Sequence, residues 1–358
     1  MDRSDICIAG AGIIGLSLAL ELHRRGMSVT VLERGRPLSE ASTAAAGMLA
    51  ASDPENPPML RPLSDLSLSL YPDFLDRLHE LSGIRVPFQT SSTLQSHLTA
   101  PTDTLSRESL LEILPHLTPG DRPFTLIEEH SLDPRHVAAA LLAAVEASTI
   151  VLRSSVRVLS ARSVGNAIEV HTTAEILHAA QFINCTGAWA THSTLAPGLS
   201  VAPRKGQMVA VALPASLPLN LVVRTHGLYI VPRTTGTNAG RAIIGATIED
   251  AGFDKTVCST DISHLRSLAA TLLPGLAEAR QLESWAGLRP STPDGLPFLG
   301  PLTDSCNQFV AAGHYRNGIL LAPATAHVMA QVLMGEAAAI DLSAYSPARQ
   351  LSSSSVAQ

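Results

Sequence analysis

The feature that most constrains the fold is a glycine-rich turn near the start of the chain. Residues 5–9 are a short apolar run, and residues 10–15 follow with the sequence GAGIIG, which matches the pattern G-x-G-x-x-G. Apolar residues then recur at helical spacing up to Arg25, and residues 28–32 have the composition of a second strand. This strand, helix, strand order is typical of the opening of a doubly wound parallel sheet.

The turn predicts a dinucleotide site. Gly10 permits the tight turn, Gly12 lets the backbone approach a pyrophosphate, and Gly15 allows the helix to pack closely on the strand. The helix N-terminus then offers backbone N–H groups and the positive end of its dipole to the phosphates. An acid that ends the second strand can bond the ribose hydroxyls. The candidate residues for NAD or FAD are Gly10, Gly12, Ile13, Ile14, Gly15, Glu33 and Arg34.

The length and the order of elements predict a second domain. At 358 residues the chain is too long to form one small hydrophobic core. Helices and strands alternate at both ends, whereas the middle is β-rich, and Asp133-Pro134 is a typical helix start. We therefore expect an α/β fold with a discontinuous Rossmann-like doubly wound domain and an inserted β-rich substrate domain. The nucleotide domain takes residues 1–84, 133–200 and 285–340, the substrate domain 85–132 and 201–284, and a tail 341–358.

Composition argues against several classes of protein. The chain has 25 Lys+Arg against 31 Asp+Glu and no dense basic stripe, so we expect no nucleic-acid partner. It has no run of about 18 apolar residues, and Asp2 and Asp5 stand where a secretory signal carries positive charge. We therefore expect a cytoplasmic protein without an integral membrane segment. The four cysteines form no CxxC pair and the histidines no HExxH motif, so we expect no metal.

Seven further sequence segments resemble those of one protein family, and this resemblance indicates which dinucleotide is bound. They are ASTAAAGM at 41–48, YIVPR at 229–233, GATIE at 245–249, GFD at 252–254, WAGLRP at 285–290, DGLP at 294–297 and GHYRNGI at 313–319. In this order they resemble the FAD-dependent D-amino-acid oxidase superfamily. Within it they are most similar to the glycine oxidases of the thiamine pathway. The resemblance covers nearly the whole chain apart from the tail.

This resemblance implies a non-covalent FAD and oxidation of glycine and other small amino acids or amines by hydride transfer to the flavin. Oxygen would be the electron acceptor, and an imine, hydrolysing to an oxo acid and ammonia, and hydrogen peroxide would be the products, with a supply to thiamine thiazole synthesis. It also implies a homo-oligomer, a dimer or tetramer. A D-amino acid or sarcosine oxidase, a quinone-linked flavin dehydrogenase and a flavin subunit without turnover stay open as alternatives.

Three residues are candidates for substrate binding. Arg289 can hold a carboxylate with its planar fork of donors, and Tyr229 can add a phenolic hydrogen bond. Both match the family's carboxylate-binding positions, and Arg316 matches a position near the flavin and the substrate. We expect no catalytic base, because hydride transfer needs none once the amine is neutral.

The remaining cofactor candidates follow from loops and from the family's pattern. Small side chains at 43–48 let the backbone approach the cofactor, and the loop before the last helix can present N–H groups to the flavin N1–C2=O edge. A family valine that cradles adenine matches Val156. Lys205 interrupts a family Arg-Gly-Gln pattern and stays unassigned, and His226 is expected to be a loop histidine. The candidates are Thr43, Ala44, Ala45, Ala46, Gly47, Met48, Val156, Thr186, Gly187, His314, Tyr315, Arg316, Asn317, Gly318, Ile319 and Leu320.

Overall fold

A computed structural model of the chain describes residues 4–191, 195–196, 198–302 and 307–349. Cys306, for which the sequence gives no sign of covalent flavin attachment, and the end of the tail lie outside these residues. The strands are β1 (Ser4–Ala9), β2 (Val29–Leu32), β3 (Phe88–Ser96), β4 (Phe124–Leu132), β5 (Val151–Arg153), β6 (Val158–Val164), β7 (Ala167–Thr172), β8 (Ile176–Asn184), β9 (Ala202–Ala212), β10 (Val222–Thr225), β11 (Leu228–Arg233), β12 (Arg241–Gly245), β13 (Gln281–Ser291), β14 (Phe298–Pro301) and β15 (Gln308–Ala312).

Two helix ends carry capping residues that the sequence makes recognisable. Asp133 accepts a 3.0 Å hydrogen bond from the Arg135 backbone N–H, as predicted for the start of its helix. Gly83 ends the longest helix in the left-handed conformation, with φ 72°. The helices are α1 (Ile13–Arg24), α2 (Ala41–Ala44), α3 (Arg61–Ser82), α4 (Arg107–Ile113), α5 (Pro134–Glu146), α6 (Ser259–Leu272) and α7 (Gly318–Leu333).

The first sheet has the order β14-β15-β8-β1-β2-β5, and β6 and β7 extend from β8. Its central pairs, β8-β1, β1-β2 and β2-β5, are parallel. Helices α1, α3, α5 and α7 pack together over one face in a continuous apolar core. The α/β class, with a Rossmann-like parallel sheet, is therefore confirmed.

The second sheet has the order β13-β9-β12-β11-β10-β3-β4 and is antiparallel except between β10 and β3. Helix α6 packs on one of its faces with Leu265 and Ala269. Because β13 is the edge strand of this sheet, residues 285–291 lie in the β-rich layer, whereas the sequence assigned them to the nucleotide domain. The sequence favoured the earlier boundary because β13 passes directly into the returning α/β segment.

A buried carboxylate ties two helices of the first domain together. Glu21 of α1 is only 4% exposed and accepts hydrogen bonds from Arg24, Arg25 and Arg77, the last from α3. Burial alone would raise its pKa, but the three guanidinium groups lower the pKa of Glu21 to about 2. Across the part of the chain that the structure describes, no helix combines the length and apolarity needed to cross a membrane.

Candidate active site

A cavity of about 660 Å³ lies between the two sheets, within the size range of small-molecule sites. The carboxyl ends of β1, β2 and β8 line one side, and β9, β11 and β13 contribute residues from the second sheet. Most of the residues predicted from the sequence meet here. They are Gly10, Gly12, Ile13, Ile14, Glu33, Arg34, Ala44, Ala45, Ala46, Gly47, Met48, Val156, Thr186, Gly187, Tyr229, Arg289, His314, Tyr315, Arg316, Asn317, Gly318 and Ile319.

Three predicted residues lie away from the cavity wall. Gly15 packs the first helix on its strand, since a Cβ there would overlap the Gly10 carbonyl oxygen. Thr43 turns its hydroxyl away and donates to the Leu38 carbonyl at 2.8 Å. Leu320 is fully buried in the helical core, one position beyond the last residue of α7 that faces the cavity.

The glycine turn is held by the acid at the end of β2. The Glu33 carboxylate accepts 2.9 Å hydrogen bonds from the backbone N–H groups of Ala11 and Gly35. Gly10 has φ 102°, and a Cβ there would lie 2.5 Å from the Cys185 carbonyl oxygen, so only glycine fits. Ser42, which the sequence did not single out, accepts a 2.9 Å hydrogen bond from the Ile13 N–H and also lines the cavity.

Residues 44–48 cross the cavity with their carbonyl groups anchored in the second sheet. The Trp285 indole N–H donates to the Ala44 carbonyl at 3.0 Å, and Arg233 Nη2 donates to the Ala46 carbonyl at 2.8 Å. Close approach is also required at Gly47, where a Cβ would lie 2.8 Å from the Pro134 ring. This segment therefore belongs to the first domain in sequence but is held in place by the second.

Arg289 and Tyr229 meet at one end of the cavity. Arg289 Nη1 donates to the carbonyl oxygens of Thr247 at 3.1 Å and Lys205 at 3.5 Å. The guanidinium lies over Gly206, where a Cβ would overlap it, and the Tyr229 ring lies as closely over Gly245. Burial raises the pKa of Tyr229 while the charge of Arg289, to which it is hydrogen-bonded, opposes that rise.

Arg316 lies near this end but is already neutralised. It forms ion pairs with Glu55 and, at 3.4 Å, with Asp53. Burial alone would lower the pKa of Arg316, but these carboxylates raise it. His226 is an exposed loop residue whose Nδ1 lies 3.2 Å from Glu55. The structure therefore brings two arginines, Arg289 and Arg316, to this end of the cavity. Of these two, Arg316 has carboxylate partners among the described residues and Arg289 has none.

The loop before α7 supplies the remaining wall. The Tyr315 N–H donates to the Pro290 carbonyl at 2.8 Å, and Tyr315 adopts φ 45°, which turns the chain toward the N-terminus of α7. His314 lies 3.0 Å from the Thr325 hydroxyl, and burial lowers the pKa of His314 to about 3, so its ring is neutral at physiological pH. Lys205 is buried in an ion pair with Glu249 at 3.1 Å, and its carbonyl oxygen is the one that accepts from Arg289.

These residues fit an FAD molecule. The glycine turn and the N-terminus of α1 open on the cavity, and the wall of small residues at 44–47 allows a planar ring to approach the backbone. At Gly287, a Cβ would lie 2.6 Å from the Ala44 side chain, so the second sheet closes tightly beside this wall. Trp189, which the sequence did not single out, and Phe253, from the GFD string, line the same cavity.

Comparisons with known proteins agree with this geometry. The sequence model described as FAD dependent oxidoreductase matches residues 5–332. The chain is 33% identical to a glycine oxidase from Geobacillus kaustophilus over 98% of both chains. It is 31% identical to a glycine oxidase from Pseudomonas aeruginosa, over 97% of this chain and 99% of that one.

Comparison with solved structures gives the same family relationship. A crystal structure of glycine oxidase from Geobacillus kaustophilus superimposes with a TM-score of 0.90, covering 98% of this chain and all of the other. An iminodiacetate oxidase from Chelativorans superimposes with a TM-score of 0.83 at 25% identity, over 96% and 98% of the two chains. By the extent of the family match and the identity to these relatives, the chain belongs to the DAO family of FAD-dependent oxidoreductases.

Proposed function

We propose that the protein is an FAD-dependent oxidase that deaminates glycine and other small amino acids or amines. The observation that carries the proposal is Arg289, held over Gly206 beside Tyr229 at one end of the cavity and fixed by carbonyl oxygens rather than by a carboxylate. A guanidinium in this setting is available to the carboxylate of an amino acid. The near full-length glycine oxidase relatives support the same substrate class.

The chain's own residues bind and orient the substrate. Arg289 takes the carboxylate with charge-assisted hydrogen bonds, and the protonated Tyr229 hydroxyl donates a further one. Held at this end, the substrate lies in the same cavity as the segment at 44–48, the wall expected beside the flavin. When bound, FAD would supply the redox chemistry, as the hydride acceptor for the substrate and the electron donor to oxygen. Glycine, oxygen and water thus give glyoxylate, ammonia and hydrogen peroxide.

The cofactor residues are assigned by their places in the cavity. We propose that Gly12, Ile14 and Ser42 face the pyrophosphate and that Glu33 and Arg34 face the ribose. Val156 faces the adenine, and the loop at 314–318 faces the pyrimidine end of the flavin. The support for this assignment is that all of these positions line one continuous cavity at the ends of β1 and β2.

Three relatives suggest where the product goes. A bifunctional protein named ThiO/ThiG from Trichormus variabilis is 36% identical over 92% of this chain, which matches 52% of that protein. Two further ThiO/ThiG proteins match in the same way. We propose that the imine formed here supplies the synthesis of the thiamine thiazole.

Three measurements test the function. Acid precipitation of the purified yellow protein is expected to release FAD into the supernatant, since we propose non-covalent binding. Peroxide formation from glycine, sarcosine, D-alanine and D-proline ranks the substrates and separates the near alternatives. Anaerobic substrate is expected to bleach the flavin, and air to restore it within seconds. Reduced protein that stays bleached in air but reoxidises with a quinone analogue contradicts the oxidase assignment.

We also infer a cytoplasmic homo-oligomer, a dimer or tetramer. The cysteines in the described residues, Cys7, Cys185 and Cys258, are free thiols, which fits a reducing compartment. Light scattering of the purified protein checks the assembly, and a monomer at micromolar concentration contradicts it.

A further inference from the structure

A segment of the substrate domain reaches across to the nucleotide domain at two points. Residues 250–255 follow β12, and the Phe253 ring stacks on Trp189 with centroids 5.3 Å apart and planes 26° apart. Two residues later, Lys255 Nζ lies 2.9 Å from the Glu40 carboxylate. The segment therefore contacts the first domain through one aromatic pair and one ion pair.

Arg34 links these two contact points. Together the contacts form a ring of neighbouring residues, here called the circuit. Its guanidinium carbon lies 3.6 Å from the centroid of the Trp189 ring, and its Nη2 lies 3.1 Å from Glu40. The contacts thus run from Phe253 through Trp189, Arg34 and Glu40 to Lys255. All of these residues except Lys255 line the cavity. At this place the cavity wall is assembled from both domains.

The circuit lies at the adenosine part of the site rather than at its reacting end. Arg34 follows Glu33 at the end of β2, where a dinucleotide ribose is expected. Trp189 follows Thr186 and Gly187 at the end of β8, within the same wall. Arg289 and Tyr229, the proposed substrate anchors, take no part in the circuit.

The contacts are of a kind that can open. Phe253 is 39% exposed, and the Lys255 and Glu40 side chains are 43% and 32% exposed. Partly exposed aromatic pairs and ion pairs each contribute a modest factor to an equilibrium constant. Together they hold the segment in place without making it part of either core.

We propose that residues 250–255 form a clasp over the adenosine part of the FAD site and that opening of the clasp controls FAD dissociation. The inference rests on the proposed FAD site and adds to it a retention element supplied by the other domain. No residue of the clasp is required for the chemistry at the substrate.

The test is the rate at which FAD leaves the holoenzyme. Released FAD is trapped by an excess of an unrelated flavin-binding apoprotein, and flavin fluorescence reports its transfer. Phe253→Ala is expected to release FAD about 2- to 12-fold faster, the factor that corresponds to one aromatic pair. Phe253→Tyr keeps the ring and is expected to release FAD at the wild-type rate. Lys255→Met is expected to speed release by about 1.5- to 5-fold, an effect that added salt removes in the wild type.

Two controls separate a clasp from a general loss of stability. Ile248→Ala removes an exposed side chain just before the segment and should leave the release rate unchanged. The unfolding temperature of each apoprotein should fall by no more than about 4 °C, the shift expected for the loss of one partly exposed contact. A release rate that Phe253→Ala does not alter overturns the clasp. A wild-type protein that holds no FAD is a different result, which overturns the cofactor assignment and the clasp with it.

Discussion

The guanidinium of Arg289 donates through Nη1 to the Thr247 carbonyl oxygen at 3.1 Å. This bond fixes the side chain to a loop that leaves the neighbouring part of the second sheet. Because a guanidinium carries five N–H donors, bonds to backbone carbonyls and to Tyr229 still leave donors for a ligand. The proposed anchor is therefore oriented before substrate arrives, which would lower the entropic cost of binding a carboxylate.

Replacement of Arg289 tests the anchor directly. Arg289→Ala is expected to lower kcat/KM for glycine by about tenfold to several hundredfold, at about 1.4 kcal/mol per decade, because the carboxylate loses its charge-assisted bonds. The value of kcat/KM for ethylamine, which has no carboxylate, should fall far less. Arg289→Lys keeps the charge without the fork and should mainly raise KM. Steady-state peroxide assays measure all three.

The matched control for this prediction is Arg280→Ala, an exposed arginine just before β13. It should leave kcat/KM unchanged for both glycine and ethylamine, and FAD content should be equal in every variant. Equal losses for glycine and ethylamine in Arg289→Ala would show that Arg289 is structural and would move the carboxylate site to Arg316.

Removal of the Tyr229 hydroxyl tests the second bond. Tyr229→Phe is expected to raise KM for glycine about tenfold, since a hydrogen bond to a charged group contributes roughly 1.5 kcal/mol. Because burial raises the pKa of Tyr229 above its ordinary value of 10.0, the wild-type hydroxyl stays a donor up to that pH. The wild-type profile of KM against pH should therefore lack a tyrosine limb below pH 10. An unchanged KM in Tyr229→Phe counts against the assignment.

The two hydrogen bonds that hold the segment at 44–48 predict an effect on cofactor affinity. Trp285→Phe removes the bond to the Ala44 carbonyl, and Arg233→Met removes the bond to the Ala46 carbonyl. Each loss is expected to raise the Kd of FAD by about fivefold, the value of a typical hydrogen bond. Titration of apoprotein by flavin fluorescence measures this. Arg241→Met, which removes an ion pair to Glu283 at 3.8 Å and no bond to the segment, is the control and should bind FAD normally.

Glu21 predicts how stability depends on pH. Its folded-state pKa is about 2, below the ordinary value of 4.5, so its contribution is complete above about pH 4.5. The contribution falls as pH decreases toward 2, because protonation removes the charge that the arginines bind. Glu21→Gln should lower the free energy of unfolding by about 1–3 kcal/mol at pH 7.

Urea unfolding at several pH values measures the effect, and the difference from wild type should shrink as pH falls below 4.5. Glu80→Gln, an exposed position on α3, is the control and should change little. A constant difference from pH 7 to pH 3 would show that packing, rather than charge, accounts for the loss.

Local signals predicted much of the fold. The cap at Asp133, the glycine turn at Gly10 and the start of α7 at Gly318 each depend on residues close in sequence, and the structure has all three. The boundary of β13 could not be predicted in the same way. Its place is set by pairing with β9, a partner about 80 residues earlier in the chain.

The predictions for the site divide in the same way, between features set by local sequence and features set by contacts between distant segments. Arg289 and Tyr229 lie in strings that resemble a known family, and the structure brings both to the cavity. Trp189 and Phe253 meet only because two loops that are distant in sequence fold against each other. The sequence around neither residue contains a local pattern that predicts this contact. Thr43 and Leu320 were predicted with their neighbours, but the helical turn at each position points the side chain elsewhere.

The anchoring of Ala44 has a consequence for synthesis of the chain. Trp285, which holds the Ala44 carbonyl, is separated from it by 241 residues. At about 5–20 residues per second, the ribosome completes Trp285 roughly 10–50 s after Ala44. Through that interval the glycine turn and the first strands exist without the wall that should face the flavin. The nascent chain is therefore expected to acquire its cofactor late, after most of its length has left the ribosome.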